Sequence, residues 1–417
     1  MITRIERRLL PVVLERIPQT PVLLLEGPRG VGKSTLLAEV ASTIPAARLF
    51  DLDDPAVLTL AKQNLSLLTD EALPVLIDEY HAAEGTLQAI KARLNKGTHS
   101  GMFVLAGSAS YDSLPAGTQA LTGRIQRLPV MPLTQTEIDG TGNTFIARAF
   151  DGDIPHTADM ASAARMDYVD RILRGGMPLA LAQPNETARG RWFAGHVRQS
   201  LQRDAGQLRR LNRAAVLPKL FTRVVGQTAG LLNISKVGET LEVSRSTVTS
   251  YVELLESIFL IATLPAWGTT VASRSVEAPK VHVLDSGIGG HMLRLTRSKL
   301  ERGDPSALTE YGHLVESFAV QEAIRQSTWM DDIITAGHWR TRDNVEVDLV
   351  LERHDGAVIG IEVKAGDQVP SKQLTGLRQL RDRLGESFIA GIAFHTGSRG
   401  YPVEDRIHAL PLERLWT

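Results

Sequence analysis

The N-terminal part of the chain repeats one pattern: a short unbroken apolar run, a polar or glycine-containing break, then a stretch of good helix formers. The runs are Val22 to Leu25, Val75 to Ile77 and Met102 to Ala106. Runs with no polar position inside predict strands buried on both faces. Strands alternating with helices predict a parallel sheet covered on both sides. Farther along, Val248, Tyr251, Leu255 and Ile258 fall on one stripe of a helix predicted over 245–260, with Ser244 as its N-cap. A helical turn region over 233–243 precedes it, and Arg245, Ser246, Thr247 and Thr249 lie near its start, largely off the stripe. This is helix-turn-helix spacing. The second helix of such a pair either reads base edges with its first residues or only packs against a core or partner. The segment 264–275 that follows is a candidate wing.

Near the C-terminus the period becomes two. Val345, Val347, Leu349 and Leu351 recur at every second position, as do Ile359, Ile361 and Val363, so two half-buried strands are expected, joined at His354-Asp355-Gly356. A two-residue Asp-Gly turn would put the apolar sets on opposite faces. A three-residue turn with Gly356 left-handed pairs Val347 with Val363 and Leu349 with Ile361, and buries both sets together. That register sets Asp348 opposite Glu362, with Lys364 on the same face. Facing carboxylates repel, and a divalent cation would relieve them. Two acids and a lysine match the D…E-x-K arrangement of metal-dependent nucleases, in which the metal activates a water and Lys364 orients it. The other reading is a charged sheet face without chemistry. Beyond Gly366 a helix and a closing strand, Phe388 to Phe394, are expected.

The break after the first strand carries the sharpest motif. Gly27-Pro28-Arg29-Gly30-Val31-Gly32-Lys33-Ser34-Thr35 fits G-x-x-x-x-G-K-[ST], between a strand and a helix as a P-loop requires. Glycines let main-chain N–H groups turn toward phosphate oxygens, and the helix N-terminus adds its positive end. Lys33 is expected on the β- and γ-phosphates, the Ser34 hydroxyl on Mg²⁺ and Thr35 on the α-phosphate. The next strand ends in Asp78 and Glu79, candidates for metal binding and for polarising the attacking water. The third is followed by Ser108, a candidate sensor of the γ-phosphate or its water.

Composition narrows the rest. A chain of 417 residues is too long for one ordinary core. Its 46 basic and 47 acidic residues nearly cancel, so net charge does not decide for or against nucleic acid. Without cysteine there are no disulfides and no thiol chemistry. No apolar run approaches a membrane span and the N-terminus does not read as a signal peptide, so a cytoplasmic, soluble protein is expected. Seven arginines (189, 191, 198, 203, 209, 210 and 213) face one acid, Asp204, across 189–213. Such a basic helical stretch neutralises nucleic-acid phosphates, bridges to acidic neighbours or lies solvated.

The segments GPRGVGKSTLL, VLIDEY, VLAGSAS, LTGR, RGGMPLALA, VSRSTVTSYVELLE, APKVHVLDSG, EVDLVLE and IEVKA occur in that order. Together they resemble prokaryotic AAA-type ATPases whose C-terminal domain of unknown function is similar to the PD-(D/E)xK nuclease fold. The resemblance implies an α/β protein. Its parts would be an AAA-type parallel-sheet core (1–140), a helical lid (141–225), a winged helix (226–276) and a restriction-endonuclease-like domain (277–417). It implies ATP and Mg²⁺ as cofactors, DNA as partner and assembly of several copies. It places Arg124 as an arginine finger, in cis or from a neighbouring subunit. Pro178 is placed against the adenine, in a Gly-x-Pro motif like that of signal-transducing ATPases, and Glu316, on a helix over 314–325, as a third acidic ligand. Two functions follow: ATP-driven handling of DNA, with or without cleavage, or a nucleotide-controlled switch whose nuclease-like domain is inactive. A toxin–antitoxin or defence role rests on analogy alone.

Overall fold

The computed structural model describes residues 4–69, 73–113, 121–154, 162–204, 214–268, 278–330, 332 and 334–417. The first apolar runs form a five-stranded parallel sheet: β1 (Val22–Glu26), β2 (Arg48–Asp51), β3 (Val75–Asp78), β4 (Phe103–Gly107) and β5 (Ile125–Pro129), in the order β2-β3-β4-β1-β5. Successive side chains go to opposite sides. Leu24, Ile77 and Leu105 pack with Leu87 and Ile90 on one face. Leu23, Leu25, Leu76 and Val104 pack with Leu36, Leu37 and Val40 on the other. Burial on both faces is why these strands lack polar positions.

The middle of the chain is helical over Arg165–Arg174, Glu186–Gln199 and Leu217–Val225, then forms the helix pair Ile234–Leu241 and Arg245–Ser257. The Ser244 hydroxyl accepts from Thr247 N–H (3.2 Å), and Val248, Tyr251, Leu255 and Ile258 are buried. A small antiparallel sheet flanks the pair: β6 (Gly230–Leu231), β7 (Ile261–Leu264) and β8 (Lys280–Val283), in the order β6-β8-β7. Because β8 belongs to this sheet, the boundary expected at 276/277 passes through a structural unit. Most of the expected wing, and Arg209, Arg210 and Arg213, lie outside the described residues.

The C-terminal sheet has six strands: β9 (Ile334–Arg340), β10 (Glu346–Arg353), β11 (Val358–Lys364), β12 (Phe388–His395), β13 (Tyr401–Glu404) and β14 (Ile407–Pro411), in the order β13-β14-β12-β11-β10-β9. Leu349 pairs with Ile361 and Leu351 with Ile359, and Gly356 takes φ +89° in a turn closed by Arg353 N–H on Ala357 C=O (2.8 Å). This is the three-residue register. Two features differ from expectation. A bulge between Val347 and Val350 turns Val347 to the face away from Leu349. Both faces are also buried: the 23-residue helix Pro305–Ser327, longer than the expected 314–325, covers one, and helix Thr375–Leu384 the other. A two-residue alternation predicts one wet face, but helices on both sides of this sheet leave none.

The long helix also reaches the first domain. Its Glu322 carboxylate accepts from Gln135 N–H at 3.0 and 3.1 Å and from Gln326 Nε2 at 3.2 Å. Burial pushes the Glu322 carboxyl up to about 7, against the opposing pull of Arg325. A carboxyl raised on folding binds more protons in the folded than in the unfolded state. Its stabilisation is complete below the unfolded value and is lost as pH rises through the folded one. Glu322 therefore makes the chain less stable between about pH 5 and pH 7, by about 3 kcal/mol. Thermal melts across that range should show this slope, and Glu322→Gln should flatten it; an unchanged slope would place the titrating group elsewhere.

Candidate functional site

In a parallel sheet the carboxyl ends of all strands share one edge, and loops leaving that edge hold ligands. Three motifs meet there. The P-loop leaves β1 at Gly27, where a Cβ would stand 2.1 Å from the Val130 carbonyl oxygen, so only glycine lets the two segments approach. Gly30 (φ +73°) and Gly32 (φ +100°) occupy the left-handed region and turn the loop into helix Lys33–Thr43. Pro28, Arg29 and Val31 complete the turn, and Thr35 follows in the first helical turn. The Lys33 ammonium is buried in the loop, donating to Gly27 O (2.9 Å) and Pro28 O (3.0 Å). It is thus held over the concavity a phosphate tail would enter.

The Ser34 hydroxyl lies close to Asp78 at the end of β3, although β4 lies between β3 and β1. Burial raises the Asp78 carboxyl above its ordinary range, with the Glu79 charge adding, while the Ser34 hydroxyl pulls it down. A hydroxyl and a buried carboxylate in contact fit the donor set expected for Mg²⁺. Glu79 takes φ +47°, a strained conformation for a residue with a Cβ. Its Oε2 accepts from Ser108 Oγ (3.3 Å) and lies 3.1 Å from His81 Nε2. Lys33, Ser34, Asp78, Glu79 and Ser108 are therefore gathered at one edge.

Pro178 opens the short helix Pro178–Leu181 and is half-buried. The preceding Gly176 accepts from Leu133 N–H (2.8 Å) and donates to Asp285 Oδ2 (2.7 Å). Leu133 continues the segment that packs Val130 on Gly27, so this turn is tied to the P-loop side of the domain. Arg124 is not brought in. It precedes β5, whose Ile125 pairs with Val22 at the amino end of β1, about 13 Å of strand from the P-loop edge. There it donates to Asn95 Oδ1 (2.7 Å). The cis arginine finger is thus excluded by strand direction.

Sequence reasoning missed His196. It lies on helix Glu186–Gln199, stacked on Trp192 (centroids 4.8 Å apart), with Nε2 buried and unpartnered among the described residues. Burial, then the charge of P-loop Arg29, holds its pKa down at about 4. The helix therefore packs close to the P-loop, contact that no local motif announces.

The second constellation lies in the C-terminal sheet, and its centre is a residue sequence reasoning passed over. The Lys280 ammonium, on β8, donates to Glu316 Oε1 (2.8 Å) and Asp348 Oδ1 (2.9 Å), and is 2% exposed. Asp348 Oδ2 accepts from Val363 N–H (3.0 Å), and Lys364 donates to Glu362 Oε1 (2.5 Å). The four expected residues are neighbours, with Asp348 and Glu362 buried and Glu316 and Lys364 half-buried rather than on an open face, and Lys280 stands between Glu316 and Asp348, where a metal was expected. Among the described residues no group of three or more His, Asp or Glu side chains is disposed to hold a metal ion. Burial pushes Asp348 up, but Lys280 and then Lys364 outweigh it and leave the carboxyl below its ordinary range. Burial, then the Asp348 charge, raises Glu316 well above its range and Glu362 to about 8. The lysine in Ala278-Pro279-Lys280-Val281-His282-Val283, a charge within a buried strand, was the available signal.

Residues 19–139 match the AAA domain family (AAA_14). The first part of the chain is an AAA-type P-loop ATPase domain. Residues 165–299 match a domain of unknown function (DUF8612), and residues 311–415 a second (DUF4143). An uncharacterized protein of Mycobacterium tuberculosis, Rv2008c, is 25% identical over 417 residues, covering 99% of this chain and 85% of that one. A RuvB structure from Thermotoga maritima aligns with 61% of this AAA-containing chain and 87% of its own, at 18% identity and a TM-score of 0.28. A signal transduction ATPase with numerous domains from Pyrococcus horikoshii aligns with 78% and 48%, at 11% identity and a TM-score of 0.26. Scores this low carry no argument about shared geometry. No helix among the described residues is long and apolar enough to cross a membrane.

Removing one partner of a buried charge cluster leaves the others uncompensated, at a cost of about 3–5 kcal/mol. Lys280→Met should lower the urea midpoint accordingly, and adding Asp348→Asn should recover part of the loss. An unchanged midpoint would show that Lys280 does not hold the acids.

Proposed function

We propose that this AAA-type chain binds ATP with Mg²⁺, hydrolyses it, and relays the nucleotide state to a DNA-engaging helix pair. The observation that carries this reading is the convergence of Lys33, Ser34, Asp78, Glu79 and Ser108 at one sheet edge. The N–H groups of 27–35 bind the phosphates, with Lys33 moving from the loop carbonyls to phosphate oxygens. Ser34 and Asp78 hold Mg²⁺, which when bound neutralises phosphate charge. Glu79, positioned by Ser108 and His81, takes a proton from the water that attacks the γ-phosphorus, while the bridging oxygen leaves with ADP. Pro178 packs on the base.

A route outward exists. Ser110, two residues beyond Ser108, donates its N–H to the carbonyl of Ser257, the last residue of the helix that begins at Arg245 (3.0 Å). At the other end of that helix Arg245 and Ser246 are exposed, as a base- or phosphate-contacting end requires. The helix pair with β6, β7 and β8 is the winged helix of this reading. Arg124 then acts only from a neighbouring subunit, which ties its role to assembly. The Lys280 ion pairs favour the second reading for the C-terminal domain: a nuclease-like frame without cleavage, in a protein closer to a nucleotide-controlled switch.

Two outcomes test this. Lys33→Ala should abolish ATP turnover, whereas Glu79→Gln should retain ATP and lose turnover by about 10²- to 10⁴-fold; normal turnover in either rejects its assigned role. Arg124→Ala should reduce turnover only at concentrations where sedimentation shows self-association. Equal loss in the monomer would contradict a role in trans.

A further inference from the structure

A cavity of about 820 Å³ opens between helices Arg165–Arg174, Glu186–Gln199, Ser286–Met292 and Arg297–Glu301. Every residue lining it lies between 170 and 299, within the DUF8612 match. None belongs to the ATP site. On helix Glu186–Gln199 the cavity is lined from Glu186 to Phe193, whereas His196, toward P-loop Arg29, lies three residues beyond, about 5 Å along the axis.

The lining is basic and its charge is only partly neutralised. Arg297 is paired with Asp170 and Glu301, and Lys299 donates to the Arg294 carbonyl (2.9 Å). The guanidinium groups of Arg174, Arg189 and Arg294 make no ion pair or hydrogen bond among the described residues. Arg174 is half-buried, and its pKa is held down by burial and then by the charges of Arg171 and Arg189. Cations that outnumber the acids in a concave, partly desolvated space are costly unless an anion completes them. Planar guanidinium forks match phosphate oxygens in pairs. Leu173, Phe193 and Leu295 supply an apolar floor beside them. The volume falls in the range of small-ligand pockets.

We infer that this cavity binds a small phosphate-bearing molecule of about nucleotide size, its phosphate on Arg174, Arg189 and Arg294 and its apolar part on Phe193 and Leu173. A nucleic-acid strand fits less well: the cavity is bounded by four helices, and Asp170 and Glu186 interrupt its basic lining. The site also has a mechanical connection. Helix Ser286–Met292, one of its walls, starts at Asp285, the carboxylate that holds Gly176 beside Pro178.

Calorimetric titration of the full chain with inorganic pyrophosphate tests the inference without ATP turnover. A saturable site should survive in Lys33→Ala and weaken at least tenfold in Arg174→Gln/Arg189→Gln, with folding verified by circular dichroism. Should that double variant not fold, Arg294→Gln, an exposed rim position, should weaken binding about threefold. Three results would overturn the inference: no saturable binding to the intact chain, loss in Lys33→Ala with retention in the arginine variants, or displacement of pyrophosphate by a 20-mer DNA whose own binding needs the same arginines.

Discussion

The approach of the Ser34 hydroxyl to the Asp78 carboxyl joins the two strands on which the proposed ATP chemistry rests. β4 separates those strands, so the contact exists only because the sheet order puts three carboxyl ends side by side. The same ordering delivers Ser108 to Glu79 and keeps Arg124 at the opposite edge. Sheet direction therefore sorts the motif residues into those gathered at the P-loop edge and Arg124, which stands at the other.

Beyond the sheet, buried polar contacts as well as apolar packing link the three matched regions. Glu322 reaches the backbone of Gln135, and Lys280 spans from β8 to Glu316 and Asp348. Each places an ionisable group where its desolvation is offset in part by a partner in another segment. Such contacts make relative position specific, since a small displacement strands a charge. Two further contacts link the site to its surroundings: Ser110 N–H on the Ser257 carbonyl, and Asp285 on the Gly176 N–H of the Pro178 turn.

What could be read from sequence was what short-range rules govern. The P-loop, the acids at the end of β3, the Ser244 cap and the register that pairs Leu349 with Ile361 all follow from local geometry. The Gly356 turn fixed that register because only one alternative buries both apolar sets. What could not be read was set by distant partners. The alternation in β10 and β11 predicts a wet face, but helices from either side of the sheet cover both. Lys280 lies 68 positions from Asp348, and no local pattern announces that it fills the space between the acids. His196 and Arg29 likewise meet through tertiary packing, and the arginines of the cavity cluster only when four helices converge.

The most direct measurement is calorimetric titration of the full chain with ATP, with Mg²⁺ and with the metal chelated, repeated on Asp78→Asn. Saturable binding of about one ATP per chain, weakened both by chelation and by Asp78→Asn, is expected if Ser34 and Asp78 hold the metal on a phosphate-filled loop. ATP binding that is absent, or equally tight in all three conditions, would contradict it.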